Sequence, residues 1–460
     1  MKDLTQGSIT KNILTMAAPV AAGMVFQALY LLVDLYFVSA LGDASIAGVG
    51  AAGTIFFIVM AMSQVLGVSS VALISHAVGR KDRTEANLVF NQSLVLAALC
   101  SGVTLILGYS LAGRYMDVIA AGPARGEGVT FLHWFLPGVA LQFALMGMGS
   151  ALRGTGIVKP TMIVQILTVI LNTILAPVLI AGWGTGVSLG VMGAGLASSI
   201  SVTVGVVLLT LYFIKLEKYV SFQKSLWWPK LDLWGRMFNI GLPAGGEMML
   251  MFIYTAIVYW VIQGFGAPAQ AGFSIGARIM QAIFMPTMAI AFAVGPIAGQ
   301  NFGAHLGGRV KETYYRGILL SSIVMLTVTM LLQWRPELIL GFFTGEADVI
   351  NVGAGFLHII SLNFVAQGIV FSSSGMFQGL GNTRPSMLSS GFRLLVFVPI
   401  VIYLRQQPGF YIYQVWYVSV LSVTLQACVS YLLVRRQFQI KLKGLENKPE
   451  TNTEIVMELE

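Results

Sequence analysis

Residues 47–75 read AGVGAAGTIFFIVMAMSQVLGVSSVALIS, a run of 29 without one charged side chain. About 20 apolar residues, rising ~1.5 Å each as a helix, cross the ~30 Å hydrocarbon layer of a bilayer. The run is long enough to span a membrane with some tilt, and it lacks the short alternating pattern of an outer-membrane barrel strand. The whole chain shares this character. Of 460 residues, 56% are hydrophobic and 10% charged, against about 25% charged in an ordinary soluble protein, and the mean hydropathy is +0.80. No water-soluble fold hides that much apolar side chain, so disordered chains, secreted disulfide scaffolds and cytosolic enzymes are excluded. Cys100 and Cys428 are the only cysteines, both in apolar runs, and offer neither a disulfide framework nor a metal-ligand cluster.

Outward from that run, long apolar stretches broken by polar clusters fall near 13–39, 47–75, 88–112, 128–150, 159–181 and 190–214, then near 237–263, 271–297, 314–334, 350–375, 386–405 and 412–434. The fold expected is an all-α membrane protein, with twelve transmembrane helices in two parallel six-helix lobes around a central cavity. Residues 1–214 make the N-terminal lobe, 215–236 a cytoplasmic linker, 237–434 the C-terminal lobe, and 435–460 a mobile cytoplasmic tail, basic and then acidic. Within the linker, KLEKYVSFQKSLWWPK (215–230) is the longest polar stretch inside the chain. Met1 to Thr10 is polar and lacks the apolar region and cleavage site of a removable signal peptide.

The net charge of +8 sits in the loops, so nucleic acid is not an expected partner. With the N-terminus cytoplasmic, 21 of the 27 Lys and Arg fall on the cytoplasmic side, four outside, and Arg278 and Arg393 within spans. That imbalance orients both termini to the cytoplasm of a plasma (inner) membrane. The chain also repeats itself. A shift of 224 places Pro19 on Pro243, Met24 on Met248, Tyr30 on Tyr254, Gly42 on Gly266 and Gly79 on Gly303; a shift of 225 places Arg153, Gly154 and Gly156 on Gln378, Gly379 and Gly381. An even six-helix offset preserves orientation, so the halves are parallel repeats about an axis normal to the membrane.

An ionisable side chain inside a span is costly enough to suggest function. Two of the 19 acids qualify: Asp34 in the first span and Glu247 in the seventh. Gln27, Tyr30 and Asp34 stand at i, i+3 and i+7 on one helical face, which should line a cavity because lipid would not tolerate it. The matched face in the second half is Met251, Tyr254 and Val258, with Glu247 one turn deeper. On the fifth span Gln165, Thr168 and Asn172 repeat the spacing, and Gln142, Gln281, Asn363 and Gln367 are further polar candidates for the cavity wall. Arg278 and Arg393 are expected to fix helix packing. Pro19 and Pro243 remove a backbone hydrogen bond at equivalent places, where a bend would move Asp34. Met248, Met249, Met251, Met285 and Met288 suit a promiscuous wall. His76, His133, His305 and His358 lack metal-like spacing. There is no nucleotide phosphate loop and no nucleophile–base arrangement, so neither ATP use nor catalysis is expected.

These residues resemble the multidrug and toxic compound extrusion (MATE) family over essentially the whole chain. The resemblance lies in LTQGSITKNILTMAAPV (4–20), LYLLVDLYFVSALG (29–42), LRGTGIVKP (152–160), ILNTILAP (170–177), GVMGAGLASS (190–199) and FQGLGNTRP (377–385), in order and with the repeat. It implies a cavity open alternately to either side and export of cationic amphipathic compounds in exchange for H+ or Na+. Asp34 looks like the family's coupling acid, with Tyr30 and Asn172 as neighbours and Glu247 as an open second site. Ala176 stands where many members carry a fifth-span acid, the tenth span has no acid, and Met251 stands where some members have a seventh-span acid. That pattern looks closer to the DinF-like branch than to the NorM-like one.

A carboxylate withdrawn from water can take up a proton near neutral pH, so competition of proton and cationic substrate for Asp34 is the expected coupling. H+ is favoured over Na+, which wants several oxygens. No cofactor is expected; the partners are small cationic substrates and the bilayer, and a monomer is expected. The alternatives are a Na+-coupled exporter, a flippase for lipid-linked saccharide precursors, and a passive channel.

Overall fold

A computed structural model describes residues 1–445 apart from 342 and 344, and leaves the side chains of 30–35 and 338 undescribed. Tyr30 and Asp34 are among the latter, and the acidic tail beyond 445 also lies outside the described residues. The described chain forms α1 (Ile9–Ser39), α2 (Asp43–Gly79), α3 (Arg83–Ile119), α4 (Pro123–Gly154), α5 (Lys159–Ile180), α6 (Gly190–Lys215), α7 (Leu231–Ile262), α8 (Ala267–Gly303), α9 (Gly307–Trp334), the short α10 (Pro336–Leu340), α11 (Ala347–Ile360), α12 (Phe364–Gly379), α13 (Arg384–Arg405) and α14 (Ile412–Lys441). Among the described residues twelve units are long and apolar enough to cross a membrane, with α11 and α12 together making the tenth.

Several helices outrun the apolar stretches that mark them. Hydropathy reports only what lies in lipid, whereas a helix continues until its backbone is capped or turned. α2 and α8 both run on until Lys81 and His305, which take left-handed backbone conformations at φ 59° and 62°. These two residues are 224 apart, so the repeat extends to the turn itself. The tenth span, expected as one helix over 350–375, is instead broken by a 3-10 turn at Ser361–Asn363. Carbonyls loosened from helix geometry at membrane depth need other donors, and α9 supplies them: Thr329 Oγ1 donates to Ser361 O at 2.9 Å and Gln333 Nε2 to His358 O at 2.7 Å.

The helices divide into two lobes. α2 to α6 pack on one another, as do α8, α9 and α11 to α14. α1 and α7 cross between them. Ile9, Ile13, Met16 and Ala17 of α1 are buried with Ala293, Ile297, Val434 and Phe438 of the second half, whereas Val38 at its far end is buried with Ala176 and Ala194 of the first. α7 does the converse: Leu233, Met237, Ile240 and Ala244 join the core of the first half, and Val258, Val261 and Ile262 that of the second. Pro19 and Pro243 stand inside these two helices, on the starting side of each crossover.

The linker is strapped down rather than slack. Asn91 Nδ2 donates to Ser221 O at 2.9 Å, and its Oδ1 accepts from Gln223 N at 2.9 Å and Trp227 Nε1 at 3.0 Å. Gln92, fully buried, donates to Leu226 O (2.6 Å) and Trp228 O (2.8 Å) and accepts from Lys230 N (3.0 Å) and Trp234 Nε1 (2.8 Å). Asn87 Oδ1 accepts from Ser221 N at 2.8 Å. Hydropathy passed over this ladder because three amides on α3 do not interrupt an apolar run. Gln92→Ala strands four backbone and indole groups and should cost about 3 kcal/mol, since each buried unsatisfied group costs ~1–3 kcal/mol. Denaturation in detergent micelles would measure it, and a loss below about 0.5 kcal/mol would mean that water replaces the amide.

Candidate functional site: the inter-lobe groups

In the first lobe, α5 packs on α1. Gln165 Nε2 donates to Gln27 Oε1 at 2.9 Å, joining two of the residues expected to share a cavity wall. The pair meets beside Gly23, where an added Cβ would stand 2.6 Å from Gln165 Oε1. Thr168 turns another way: its hydroxyl donates to Gln165 O at 2.8 Å, and its methyl lies 2.8 Å from where a Cβ on Gly205 of α6 would stand. Asn172 is completely buried, and neither atom of its amide meets a hydrogen-bond partner among the described residues. Such a group is expensive to leave unpaired. The side chains of Asp34 and Tyr30, its expected neighbours, are outside the described residues.

In the second lobe Glu247 reaches from α7 between α12 and α13. Its Oε2 accepts from Ser386 Oγ at 2.7 Å and from Ser374 Oγ at 3.2 Å. The repeat places Gly23, Thr161 and Gly149 at the positions of Glu247, Ser386 and Ser374, so the first lobe has no counterpart of this cluster. Instead, the Gln27–Gln165 pair fills the space beside Gly23.

The face expected from Met251, Tyr254 and Val258 divides. Met251 is 63% exposed and Val258 is buried in the core of the second half. The Tyr254 hydroxyl lies 2.7 Å from Ser419 Oγ, its ring 4.8 Å from that of Phe397, and the Arg393 guanidinium 3.9 Å over that ring. Arg393 thus binds α13 to α7 through a cation–π contact. Arg278, expected to fix helix packing, is instead exposed on α8 and meets no hydrogen-bond or ion-pair partner among the described residues. Gln281 is exposed, Gln142 and Gln367 are half-buried, and Asn363 is buried at the break in the tenth span.

At the end of the bundle where the chain begins, the lobes meet backbone to backbone. A Cβ on Gly79 would stand 2.0 Å from Gln300 O, and one on Gly303 2.2 Å from His76 O. The same closeness recurs where α7 lies on α2, with a Cβ on Gly241 falling 2.2 Å from Val65 O. The repeat puts Ala17 and Ala289 at the positions of Gly241 and Val65, so the two crossovers trade glycine and valine for two alanines at similar summed volume. The chain's first residues join the seal, with Lys2 N donating to Thr155 O at 2.9 Å. Burial, with Lys11 and Lys159 nearby, holds the Lys2 ammonium below the usual lysine range.

Arg153 lies just beyond the fourth apolar stretch, where the sequence alone places it in a loop. In the structure it is half-buried in the last turn of α4, its Nη2 donating to Ser150 Oγ at 3.0 Å and its guanidinium 5.4 Å from the Phe292 ring of the other lobe. With Gln64 and Gln378 it lines a void of about 10 Å³ between the lobes, about the room one water needs. The signal that could have found it is its pairing with Gln378 in the repeat.

The family model MatE matches residues 19–178 and 243–404, one segment in each half. The multidrug export protein MepA of Staphylococcus saprophyticus is 25% identical, with 86% of this chain and 87% of that protein covered. The probable multidrug resistance protein NorM of Thermotoga maritima is 27% identical over 83% and 82%. A solved outward-facing multidrug resistance MATE family transporter superposes with a TM-score of 0.88 at 24% identity, covering 95% of this chain and 98% of that one. Two matched six-helix halves, crossed by α1 and α7, are the architecture of a transporter rather than an enzyme, and the chain belongs to the MatE family of membrane transporters.

Proposed function

We propose that this protein is a plasma-membrane antiporter that exports cationic amphipathic compounds in exchange for H+ by alternating access, with both termini cytoplasmic and Asp34 as the principal coupling acid. The observation that carries the reading is Asn172: a buried amide with no hydrogen-bond partner among the described residues, on the helix packed against the one that bears Asp34. On this reading Tyr30 and Asn172 would hold the Asp34 carboxyl, and the polar wall around Gln27 and Gln165 would belong to the substrate cavity. A proton entering from outside neutralises Asp34 and releases the cation outward; inward exposure frees the proton and restores the negative site. Pro19 and Pro243 would let α1 and α7 bend during the exchange. The acid complement, with Ala176 on α5 and no acid within 350–375 of the tenth span, fits the DinF-like branch.

The relatives named for multidrug export support the substrate class. The test is efflux of ethidium from reconstituted vesicles under a pH gradient or a Na+ gradient imposed separately. Export driven by the pH gradient alone supports the reading; export driven only by Na+ transfers coupling to an oxygen cluster, for which Glu247 with Ser374 and Ser386 is the specific candidate. No export under either gradient brings the lipid-precursor flippase forward. Under the proton reading Glu247 is secondary, so Glu247→Gln should keep pH-driven export and lower its rate by no more than about tenfold, the worth of one charge-assisted hydrogen bond. Complete loss in that variant would make Glu247 a second obligatory site.

A further inference from the structure

The sealed end contains a pair of side chains related by the internal repeat. His76, near the end of α2, and Gln300, near the end of α8, are 224 residues apart. His76 Nε2 lies 2.7 Å from the carbonyl oxygen of Gly379, the last residue of α12 in the other lobe. Gln300 Nε2 donates at 2.9 Å to the carbonyl oxygen of Gly154, the last residue of α4 in the opposite lobe. Gly154 and Gly379 are themselves repeat partners, 225 apart. Each half thus sends one side chain across the interface to the same carbonyl of the other, and between the two bonds Gly79 and Gly303 lie against the backbones of Gln300 and His76.

One side of the pair carries an extra fastening. Gln300 Oε1 accepts from Leu4 N at 2.9 Å, Asn301 Nδ2 donates to Leu4 O at 3.2 Å, and Arg309 Nη2 donates to Gly7 O at 3.0 Å. Leu4 is fully buried. The first residues therefore fill the groove beside Gln300 and tie it to α8, α9 and the turn after α4.

We propose that His76 and Gln300 form a two-fold latch, wedged on one side by Leu4, that holds the two lobes shut at this end and must release for the cavity to open there. The bonds run from side chain to backbone carbonyl, so release strands no charge in the interface, and water admitted by opening can satisfy both carbonyls. That suits a contact made and broken in every cycle better than a buried ion pair, whose partners would each have to be rehydrated. Helix-end carbonyls are natural acceptors, since the last turn leaves them without intrahelical partners.

The inference rests on the alternating-access reading, but its test is a distance rather than transport. Cys100 and Cys428 are replaced by alanine, and spin labels are placed at Lys159→Cys on one lobe and Gly308→Cys on the other, both exposed near the sealed end. Pulsed electron–electron resonance in nanodiscs then reads the separation of the lobes. A net hydrogen bond is worth about fivefold in an equilibrium, so His76→Ala or Gln300→Ala should each raise the ratio of separated to sealed lobes about fivefold, and the double variant about thirtyfold. His76→Gln, which installs the side chain that makes the same bond in the other half, should restore the wild-type distribution. A double variant that folds normally and keeps the wild-type distance distribution overturns the latch. So does a His76→Gln variant that opens as far as His76→Ala. Coupling to Na+ instead of H+ would leave all these distances unchanged, so failure of the ion assignment and failure of the latch are separable.

Discussion

Asp34→Asn is expected to abolish pH-driven export, lowering it more than about 100-fold, because the chemical step being removed is the binding and release of one proton, not a fraction of a binding energy. Asparagine has the size and hydrogen-bonding groups of the neutral acid but cannot titrate. The variant should therefore fold, elute as the wild type does and remain in a single protonation-like state, unable to exchange a proton for a cation. The surroundings make this residue the one to test. Ala176 occupies the fifth-span position one turn beyond Asn172 and is fully buried, so that helix has no second carboxylate to take over. Asn172→Ala should be much milder, about fivefold, because it removes one hydrogen-bonding partner and leaves the titrating group in place. Ethidium efflux from vesicles, with wild type, Asp34→Asn and Asn172→Ala side by side, measures both. Undiminished export by Asp34→Asn would sink the mechanism.

The second large effect is steric. Gly79→Val places a carbon 2.0 Å from Gln300 O, and Gly303→Val one 2.2 Å from His76 O. The obstacles are backbone atoms, which cannot swing aside as a side chain can, so the helices must separate by roughly 1 Å to reach an ordinary carbon–oxygen contact of about 3.3 Å. Overpacking of this kind costs about 1–3 kcal/mol, charged here against the sealed arrangement. Either variant should lose more than about tenfold of transport while inserting and folding. Gly113→Ala is the control: it is a helical glycine with nothing within 4 Å of the added carbon, and it should be neutral or slightly stabilising. Wild-type efflux from Gly79→Val would show that the backbones need not approach this closely during transport.

The internal repeat gives both experiments their logic, and it was legible at the level of single residues. Offsets of 224 and 225 superimpose proline on proline and glycine on glycine because those residues serve backbone geometry, which both halves must reproduce. Even the left-handed turns at Lys81 and His305 obey the offset. Side chains that serve chemistry diverge: Glu247 against Gly23, Ser374 against Gly149, Gln165 against Ser390.

What the amino-acid sequence determined by itself was the number of spans, their grouping into two equivalent halves and the short set of intramembrane acids. Each follows from a local quantity, since some twenty apolar residues are needed to cross a bilayer and a charge within such a run is costly whatever lies beside it. What only the tertiary structure decided depends on which helices meet. The crossing of α1 and α7 between lobes, the strap of linker on Asn91 and Gln92, the two serines on Glu247, the exposure of Arg278 and the closure at His76 and Gln300 all join residues that are far apart in the chain or turn on which helix covers which. In a membrane the apolar faces of helices and lipid tails attract alike, so hydropathy says where a helix lies in the bilayer and carries almost no information about its neighbour. That choice is made by close packing of small residues and by polar groups that must find one another.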